Sequence, residues 1–553
     1  MLAGVVHDIL FAYLCAPFTE LLAIDLVNNQ TTTIWQPPIP PMWQQRGVSG
    51  DMMKTRPIFT RKVTDYALGL YLATFFIVTL MYSAYSMSWY YMLSGLGSVI
   101  VIFSYGRSLT DRFSVYRVTK DKVFEKKIFY ISLSLRIAWS TFIYAIFMQS
   151  YGDTFGFENG DAKYYHDMGE FVAGMISRGD FSFYDSISQW SGNDDIADMG
   201  YGIYVGFIYF LTGNSGTGGP LSFIDNTADT HVLSILTVRL IKCILSALAV
   251  VLMYRLSKRN FGEQIARIAA IFCALWPNFW YYCGSHLKET EMVFLCVLFI
   301  EQADQMLRSK QFTAWKIAPV LFVGILIFTL RTALALVALL SLIFSVVISS
   351  SRVVDWGKRI AIGVLTLMLL GVTMGNRIQE RSTILIQQVQ SNQQQTNMNW
   401  RATRANANVY SKYASKSIFA PLIFTIPFPS YVRPFEGQDV QQLLNGGNFV
   451  KSFMSFFTII AILSLIFTGK WRDCLLPLSF LLGYMIVLAF SSFAQSERFH
   501  QPAMPFEFMF AIYGLSVFAT NKKYKHFFSF WCVLILVACV AWNWFKLAGR
   551  GMA

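Results

Sequence analysis

The sequence predicts an all-α polytopic membrane protein, and three observations support this fold class. Of the 553 residues, 55% are hydrophobic and only 14% are charged, and the mean hydropathy is +0.45. Soluble globular proteins of this length do not normally reach such values. The apolar residues fall into runs long enough for membrane-spanning helices, and the loops between many of these runs are short and basic. The net charge of +13 therefore sets the topology and does not indicate nucleic-acid binding.

The first part of the chain divides into three regions. Residues 1–64 are predicted to be a cytoplasmic or interfacial N-terminal segment, because a basic patch follows a weakly apolar stretch. Residues 65–104 are predicted to form a transmembrane hairpin. Residues 105–127 are rich in Lys and Arg, which is typical of a cytoplasmic loop. The next span, about 128–148, therefore delivers the chain to the external side.

A long external loop is predicted over residues 149–234, where acidic residues far outnumber basic ones. Apolar residues recur at three- and four-residue spacing over 162–176, which predicts a short amphipathic helix. The apolar run 201–211 is too short to span and is interpreted as a second helix that lies on the membrane surface.

The remaining chain supplies most of the spans. A second long external loop is predicted over 376–450, followed by C-terminal transmembrane helices within 451–553. The total is about thirteen spans, with the C-terminus outside. Spans are expected near 66–84, 89–104, 128–148, 235–256, 264–283, 286–306, 315–330, 333–350, 358–375, 451–468, 474–494, 503–520 and 526–545.

The stretch GDAKYYHDMGE, residues 160–170, carries the strongest candidate for chemistry. It places Asp161, Asp167 and Glu170 just outside a predicted span. An acidic cluster at this position is more consistent with chemistry at the membrane surface than with a role in packing. Asp161 is also at the predicted helix N-terminus, and Asp is a preferred N-cap. Both interpretations remain open from this stretch alone.

Charged residues also stand at the outer ends of several other spans. They are Lys288, Glu289, Arg331, Arg498 and His500. Ionisable groups at such depths are costly and tend to be functional, although each could instead reach the interface or form an ion pair between helices. Since all of them are predicted on the side of Asp161, we expect a site in which cations neutralise a phosphate leaving group while a carboxylate takes a proton.

No cofactor is certain from the sequence. His166 and His500 lack a recognised ligand spacing, and the cysteines in apolar runs form no CxxC pair. If a metal is bound, Asp161, Asp167 and Glu170 are the candidate ligands, and Mg²⁺ or Mn²⁺ suits this oxygen-rich setting.

Four segments together resemble the GT-C superfamily of glycosyltransferases, which includes the protein O-mannosyltransferases and the bacterial aminoarabinose transferase. They are GDAKYYHDMGE with the following RGDF, the spans over 239–294, LRTA at 330–333, and SERFHQPAMPF at 496–506. The resemblance implies a seven-span catalytic module over 128–375, with external loops after its first and seventh spans. The sequence departs from the family's frequent Asp-Glu pair, because Ala162 follows Asp161.

The resemblance implies a transferase that moves a hexosyl or pentosyl group from a polyprenyl-phosphate-linked donor to a lipid, glycan or protein acceptor, with inversion. Asp161 would be the general base. The active site would face the periplasm from a bacterial inner membrane, among membrane lipids. Substrate-binding roles are expected for Tyr164, Tyr165, His166, Asp167, Glu170, Lys288, Glu289, Arg331, Arg401, Arg404, Arg498 and His500.

Two other functions compete with this interpretation. A lipid-linked polysaccharide polymerase or ligase would also use many spans and a long external loop, with Arg401 and Arg404 as its central residues. A transporter or flippase would place ionisable groups at mid-span depth and show an internal repeat. The charges instead cluster mostly at outer ends, with Arg239 and Lys242 near a span start as the exceptions.

Overall fold

A computed structural model describes most of the chain from residue 58 onward. The described residues are 58–113, 120–152, 154–155, 159–191, 199–213, 230–309, 314–349, 357, 422–433, 439–491, 494–521 and 524–548. The predicted span 358–375 and most of the predicted loop 376–450 lie outside these residues.

The described residues form helices joined by short connections, without a β-strand among them. The helices are α1 Arg61–Met81, α2 Trp89–Arg112, α3 Asp121–Tyr151, α4 Asn159–Ser177, α5 Phe183–Ser191, α6 Met199–Thr212, α7 Thr230–Phe261, α8 Glu263–Leu275, α9 Pro277–Gly284, α10 Glu289–Arg308, α11 Ala314–Leu330, α12 Thr332–Ile348, α13 Asn445–Phe467, α14 Leu475–Phe490, α15 Glu497–Thr520 and α16 Tyr524–Ala548.

Seven of the described helices are long and apolar enough to cross a membrane: α1, α2, α3, α7, α13, α15 and α16. Helices α6, α11, α12 and α14 are shorter and also apolar. Length and composition thus confirm the predicted class, an all-α polytopic integral membrane protein.

The predicted span 264–283 is two helices, α8 and α9, because the chain breaks at Trp276 and Pro277. A proline lacks an N–H and cannot continue a helix ladder. Arg136 of α3 donates to the carbonyl oxygens of Cys273 and Ala274 at 3.2 Å each. These contacts satisfy backbone groups that the break leaves open inside the bundle.

Close packing of α4 on α6 fixes the helix that carries Asp161. A Cβ on Gly202 would lie 2.0 Å from the sulfur of Met168, and one on Gly206 would lie 2.5 Å from a methyl group of Val172. Because only glycine fits at these positions, the two helices approach closely. The predicted helix over 162–176 is therefore found as α4 and held against α6.

The described part of the predicted second loop packs against the helices. Backbone N–H groups of Tyr431 and Val432 donate to the Asn543 side chain of α16 at 2.7 and 3.2 Å, and the N–H of Met87 donates to the carbonyl of Tyr431 at 3.2 Å. Residues 425–432 are buried. The predicted loop 376–450 therefore includes a buried segment, and α13 begins at Asn445, within the predicted bounds of that loop.

Candidate functional site

Four segments far apart in sequence meet where α4, α10, α12 and α15 begin. They bring together Asp161, Lys288, Glu289, Arg331 and Arg498, which we call the Arg498 cluster. Arg498 Nη1 lies 2.5 Å from Asp161 Oδ2, and Arg498 Nε pairs with Glu289 Oε1. Residues from distant parts of the sequence are thus in direct contact.

The other two cations are tied to the same cluster through their neighbours. Lys288 Nζ donates to the carbonyl oxygen of Leu330 at 2.7 Å, which places the ammonium group next to Arg331. The guanidinium carbons of Arg331 and Arg498 lie 4.4 and 5.8 Å from the ring centre of Phe499. Both guanidinium groups therefore lie close to the Phe499 ring.

The five named side chains of the Arg498 cluster are three cations and two carboxylates, and they differ in exposure. Asp161 exposes 61% of its side chain, Arg498 exposes 11%, and Glu289 is fully buried. Arg331 Nη1 is buried and has no hydrogen-bond partner among the described residues. The cluster therefore combines an accessible carboxylate with positive charge that can still bind an anion.

Tyr165 lines the inner side of the cluster, one turn along α4 from Asp161. Its side chain is almost fully buried, and Lys288 Nζ lies 5.7 Å from its ring centre. Burial, with a smaller contribution from the Glu289 carboxylate, raises the pKa of Tyr165. Its hydroxyl therefore stays protonated and can donate a hydrogen bond.

Three further predicted residues form a separate group on α4. The ligand atoms of His166, Asp167 and Glu170 all lie within 4.8 Å of one another, and His166 Nε2 is 3.4 Å from Glu170 Oε1. Asp161 pairs with Arg498 instead, so the predicted metal set of Asp161, Asp167 and Glu170 divides between two places. Of the described residues, His166 with Asp167 and Glu170 has the donor set that suits a divalent cation.

A chain of hydrogen bonds backs this group. His166 Nδ1 lies 2.7 Å from the Tyr209 hydroxyl, which lies 3.3 Å from His286 Nε2. His286 is fully buried and shares a turn with Lys288. This chain therefore fixes α4 relative to the start of α10.

The structure places Tyr164 against α5 and His500 in the interior. The Tyr164 ring lies 5.8 Å from that of Trp190 on α5. His500 is buried, with Nδ1 2.7 Å from Lys451 Nζ and Nε2 2.9 Å from the carbonyl oxygen of Ala494. A substrate contact by His500 would require this packing to open, so its visible role is to hold the turn that carries Arg498.

Sequence reasoning left two buried cations out of the site. Arg239 and Lys242 of α7 are fully buried; Lys242 donates to the carbonyl of Ser285 at 2.7 Å and lies 3.9 Å from Glu291. The signal was present, since two cations three residues apart inside an apolar span are costly and uncommon. The predicted residues Arg401 and Arg404 lie outside the described part of the chain.

Comparison with known proteins adds to this geometry. The sequence model of the Alg9-like mannosyltransferase family matches residues 218–375, which include α7 to α12 and the Lys288, Glu289 and Arg331 positions. The resemblance to GT-C superfamily glycosyltransferases is confirmed. No curated protein sequence matches the chain significantly.

One solved structure is similar to this GT-C-like chain at low identity. It is the archaeal oligosaccharyltransferase AglB from Archaeoglobus fulgidus, in complex with an inhibitory peptide and a dolichol-phosphate. The two share 12% identity with a TM-score of 0.39, over 78% of this chain and 56% of AglB. The chain thus spans little more than half the length of that protein.

Proposed function

We propose that the protein is a glycosyltransferase that moves a sugar from a polyprenyl-phosphate-linked donor to an acceptor hydroxyl. The observation that carries this proposal is the contact between Asp161 and Arg498, which joins an exposed carboxylate to a cluster of cations. The matched family is named for mannosyl transfer, so a mannosyl donor is the first to test. The active end would face the periplasm of a bacterial inner membrane.

The carboxylate and the cations would have different roles in the reaction. The acceptor oxygen would bond to the anomeric carbon as the bond from that carbon to the phosphate oxygen breaks, which inverts the configuration. Asp161 would accept the proton of the acceptor hydroxyl. Lys288, Arg331 and Arg498 would stabilise the negative charge that the departing polyprenyl phosphate gains.

The positions of the cations support this division. Glu289 is fully buried and pairs with Arg498, so it neutralises one cation without reaching solvent. Lys288 and Arg331 lie close to that pair. A phosphate group can bind to such cations through charge-assisted hydrogen bonds.

A metal ion could be held by His166, Asp167 and Glu170. Mg²⁺ or Mn²⁺ bound there would supply additional positive charge close to α4. Each step above is performed by residues of the Arg498 cluster and does not depend on that ion.

The substitution Asp161→Asn tests the proposal, because it keeps the shape of the side chain and removes the base. We expect the rate of sugar transfer to fall by roughly 10² to 10⁴, with the protein still folded and inserted. Asp185→Asn on α5 is the matched control, since Asp185 is also exposed but lies outside the cluster. Mass spectrometry of lipid-linked and envelope glycans would measure the products.

Turnover like that of the wild type in Asp161→Asn would refute the assignment. The same glycan analysis separates the rival functions. Loss of polymer length with Arg401→Ala, and no effect at Asp161, would instead indicate a polysaccharide polymerase.

A further inference from the structure

Arg498 holds two carboxylates that differ in their access to solvent. Its Nη1 contacts Asp161, whose side chain is 61% exposed, and its Nε contacts Glu289, which is fully buried. The contact with Glu289 joins residues 209 positions apart and the contact with Asp161 joins residues 337 positions apart. Both contacts are therefore products of tertiary folding.

The two carboxylates differ in how readily they can leave the guanidinium. Separating Glu289 from Arg498 would leave an uncompensated charge in the interior, which is strongly unfavourable. Asp161 can exchange its contact for water at little cost, because exposed ion pairs contribute little free energy. Of the two partners, Asp161 is the one that a competing anion can replace.

A phosphate group is a suitable competitor for this position. Guanidinium groups bind phosphate through paired N–H donors, and such charge-assisted hydrogen bonds are short and strong. Lys288 lies 5.7 Å from the ring centre of Tyr165, and Arg331 lies 4.4 Å from that of Phe499, so both add positive charge close to this contact. A phosphate that reached these cations would meet the same arm of Arg498 that Asp161 occupies.

We propose that the donor phosphate and Asp161 occupy the Nη1 arm of Arg498 in turn, while Glu289 keeps the guanidinium in position in both states. This inference rests on the proposed function, because it requires that the phosphate of the donor binds at the Arg498 cluster. It assigns Glu289 as a positioning residue rather than a substrate contact.

The exchange makes the availability of the Asp161 carboxylate as a base depend on donor binding. In the structure, Asp161 Oδ2 is paired with Arg498. Once the phosphate takes the Arg498 arm, Asp161 turns toward solvent and can accept the proton of the acceptor hydroxyl. The donor therefore binds before the acceptor, and the return of Asp161 to Arg498 helps the polyprenyl phosphate product to leave.

Binding of farnesyl phosphate to the full chain in lipid nanodiscs tests the exchange without requiring the natural donor. We expect Asp161→Asn to bind farnesyl phosphate about fivefold more tightly than the wild type, because a competing ion pair of this exposure is removed. Asp185→Asn removes an exposed carboxylate elsewhere on the same side and should leave the affinity unchanged.

A double-mutant cycle separates exchange from simple charge repulsion. In an Arg498→Gln background, Asp161→Asn should no longer tighten binding, because the shared arm is gone. Arg498→Lys, which keeps the charge but not the fork, repeats the cycle if the Gln variant does not accumulate as folded protein.

Three results would overturn the proposal, and they differ in what they imply. Equal tightening by Asp161→Asn with and without Arg498 would show repulsion and not exchange. Unchanged or weaker binding by Asp161→Asn, with normal binding by the wild type, would refute the exchange and leave the proposed function standing. If the wild type does not bind farnesyl phosphate, the exchange fails, and if it also transfers no sugar, the proposed function fails with it.

Discussion

Charged side chains cluster at both ends of α10, and the two clusters differ in how completely they are paired. At its N-terminal end, the Arg498 cluster contains three cations, two carboxylates and an exposed Asp161. At its C-terminal end, Arg259 and Arg308 face Glu301 and Asp304. Glu289 and Asp304 are 15 residues apart on this helix, so the two clusters are separated by roughly 20 Å.

The C-terminal cluster is balanced and closed. Arg259 contacts Glu301 at 2.8 Å and Asp304 at 2.9 Å, and Arg308 contacts the second oxygen of Asp304 at 2.9 Å. Arg308 also donates to the Asn260 side chain at 2.9 Å. Two cations and two buried carboxylates thus satisfy one another.

The difference shows how a structural ion-pair network is distinguished from a binding site. In the C-terminal cluster each named charge has an opposite partner, so a ligand would gain little by entering. In the Arg498 cluster, Arg331 Nη1 is buried without a hydrogen-bond partner among the described residues, and the carboxylate is accessible. The buried Arg331 nitrogen and the accessible Asp161 carboxylate are the reason why we propose that the chemistry takes place at that end of the helix.

The largest effect on stability is expected from opening the closed cluster. Asp304→Asn removes the shared partner of Arg259 and Arg308, and breaking a buried pair costs about 3 to 5 kcal/mol of unfolding free energy. Denaturant unfolding of the detergent-solubilised protein would measure it. The activity of the folded fraction should change little, and a variant as stable as the wild type would show that this network does not hold the bundle together.

A smaller effect, on activity rather than stability, is expected in the Arg498 cluster. Arg331→Gln should lower kcat/KM by about 10²-fold, because a charge that stabilises the leaving phosphate is lost. The unfolding free energy should fall by about 1 kcal/mol or less, mainly from the lost contact with the Phe499 ring. Arg255→Gln is the control at the opposite end, and an equal loss of activity there would remove the distinction between the two clusters.

The smallest effect is expected from an exposed pair near the closed cluster. Arg255 contacts Glu125 at 2.8 Å, with 44% of the Arg255 side chain exposed. Glu125→Gln should change the unfolding free energy by about 0.5 kcal/mol or less, since exposed ion pairs are solvated and screened. A loss comparable to that of Asp304→Asn would mean that burial does not explain the difference between these pairs.

Much of the architecture could be predicted from the sequence, because long apolar runs mark the positions of membrane-spanning helices. The candidate residues Asp161, Lys288, Glu289, Arg331 and Arg498 were also predictable, since a charge at the end of an apolar run is visible in the sequence. His500 shows the limit of that argument. It stands two residues from Arg498, yet it is buried against Lys451, because side-chain direction depends on the neighbouring helices.

Two other features required the folded chain. The break at Trp276 and Pro277 has a local signal in the proline, but its stabilisation by Arg136 joins residues 138 positions apart. The burial of residues 425–432 has no periodic pattern to indicate it. Contacts between distant segments depend on tertiary packing, which cannot be predicted from the local sequence pattern.

The sequence by itself determined that this protein is an all-α membrane protein with charged residues at the ends of several apolar runs. The length of the apolar runs and the charge of the loops carry that information, because apolar residues are favoured in the bilayer and charged residues are favoured in water. Only the tertiary structure decided which charges touch. Arg498 pairs with both Asp161 and Glu289 because the helix starts converge there, and pairing energies depend on distances and burial that arise from folding.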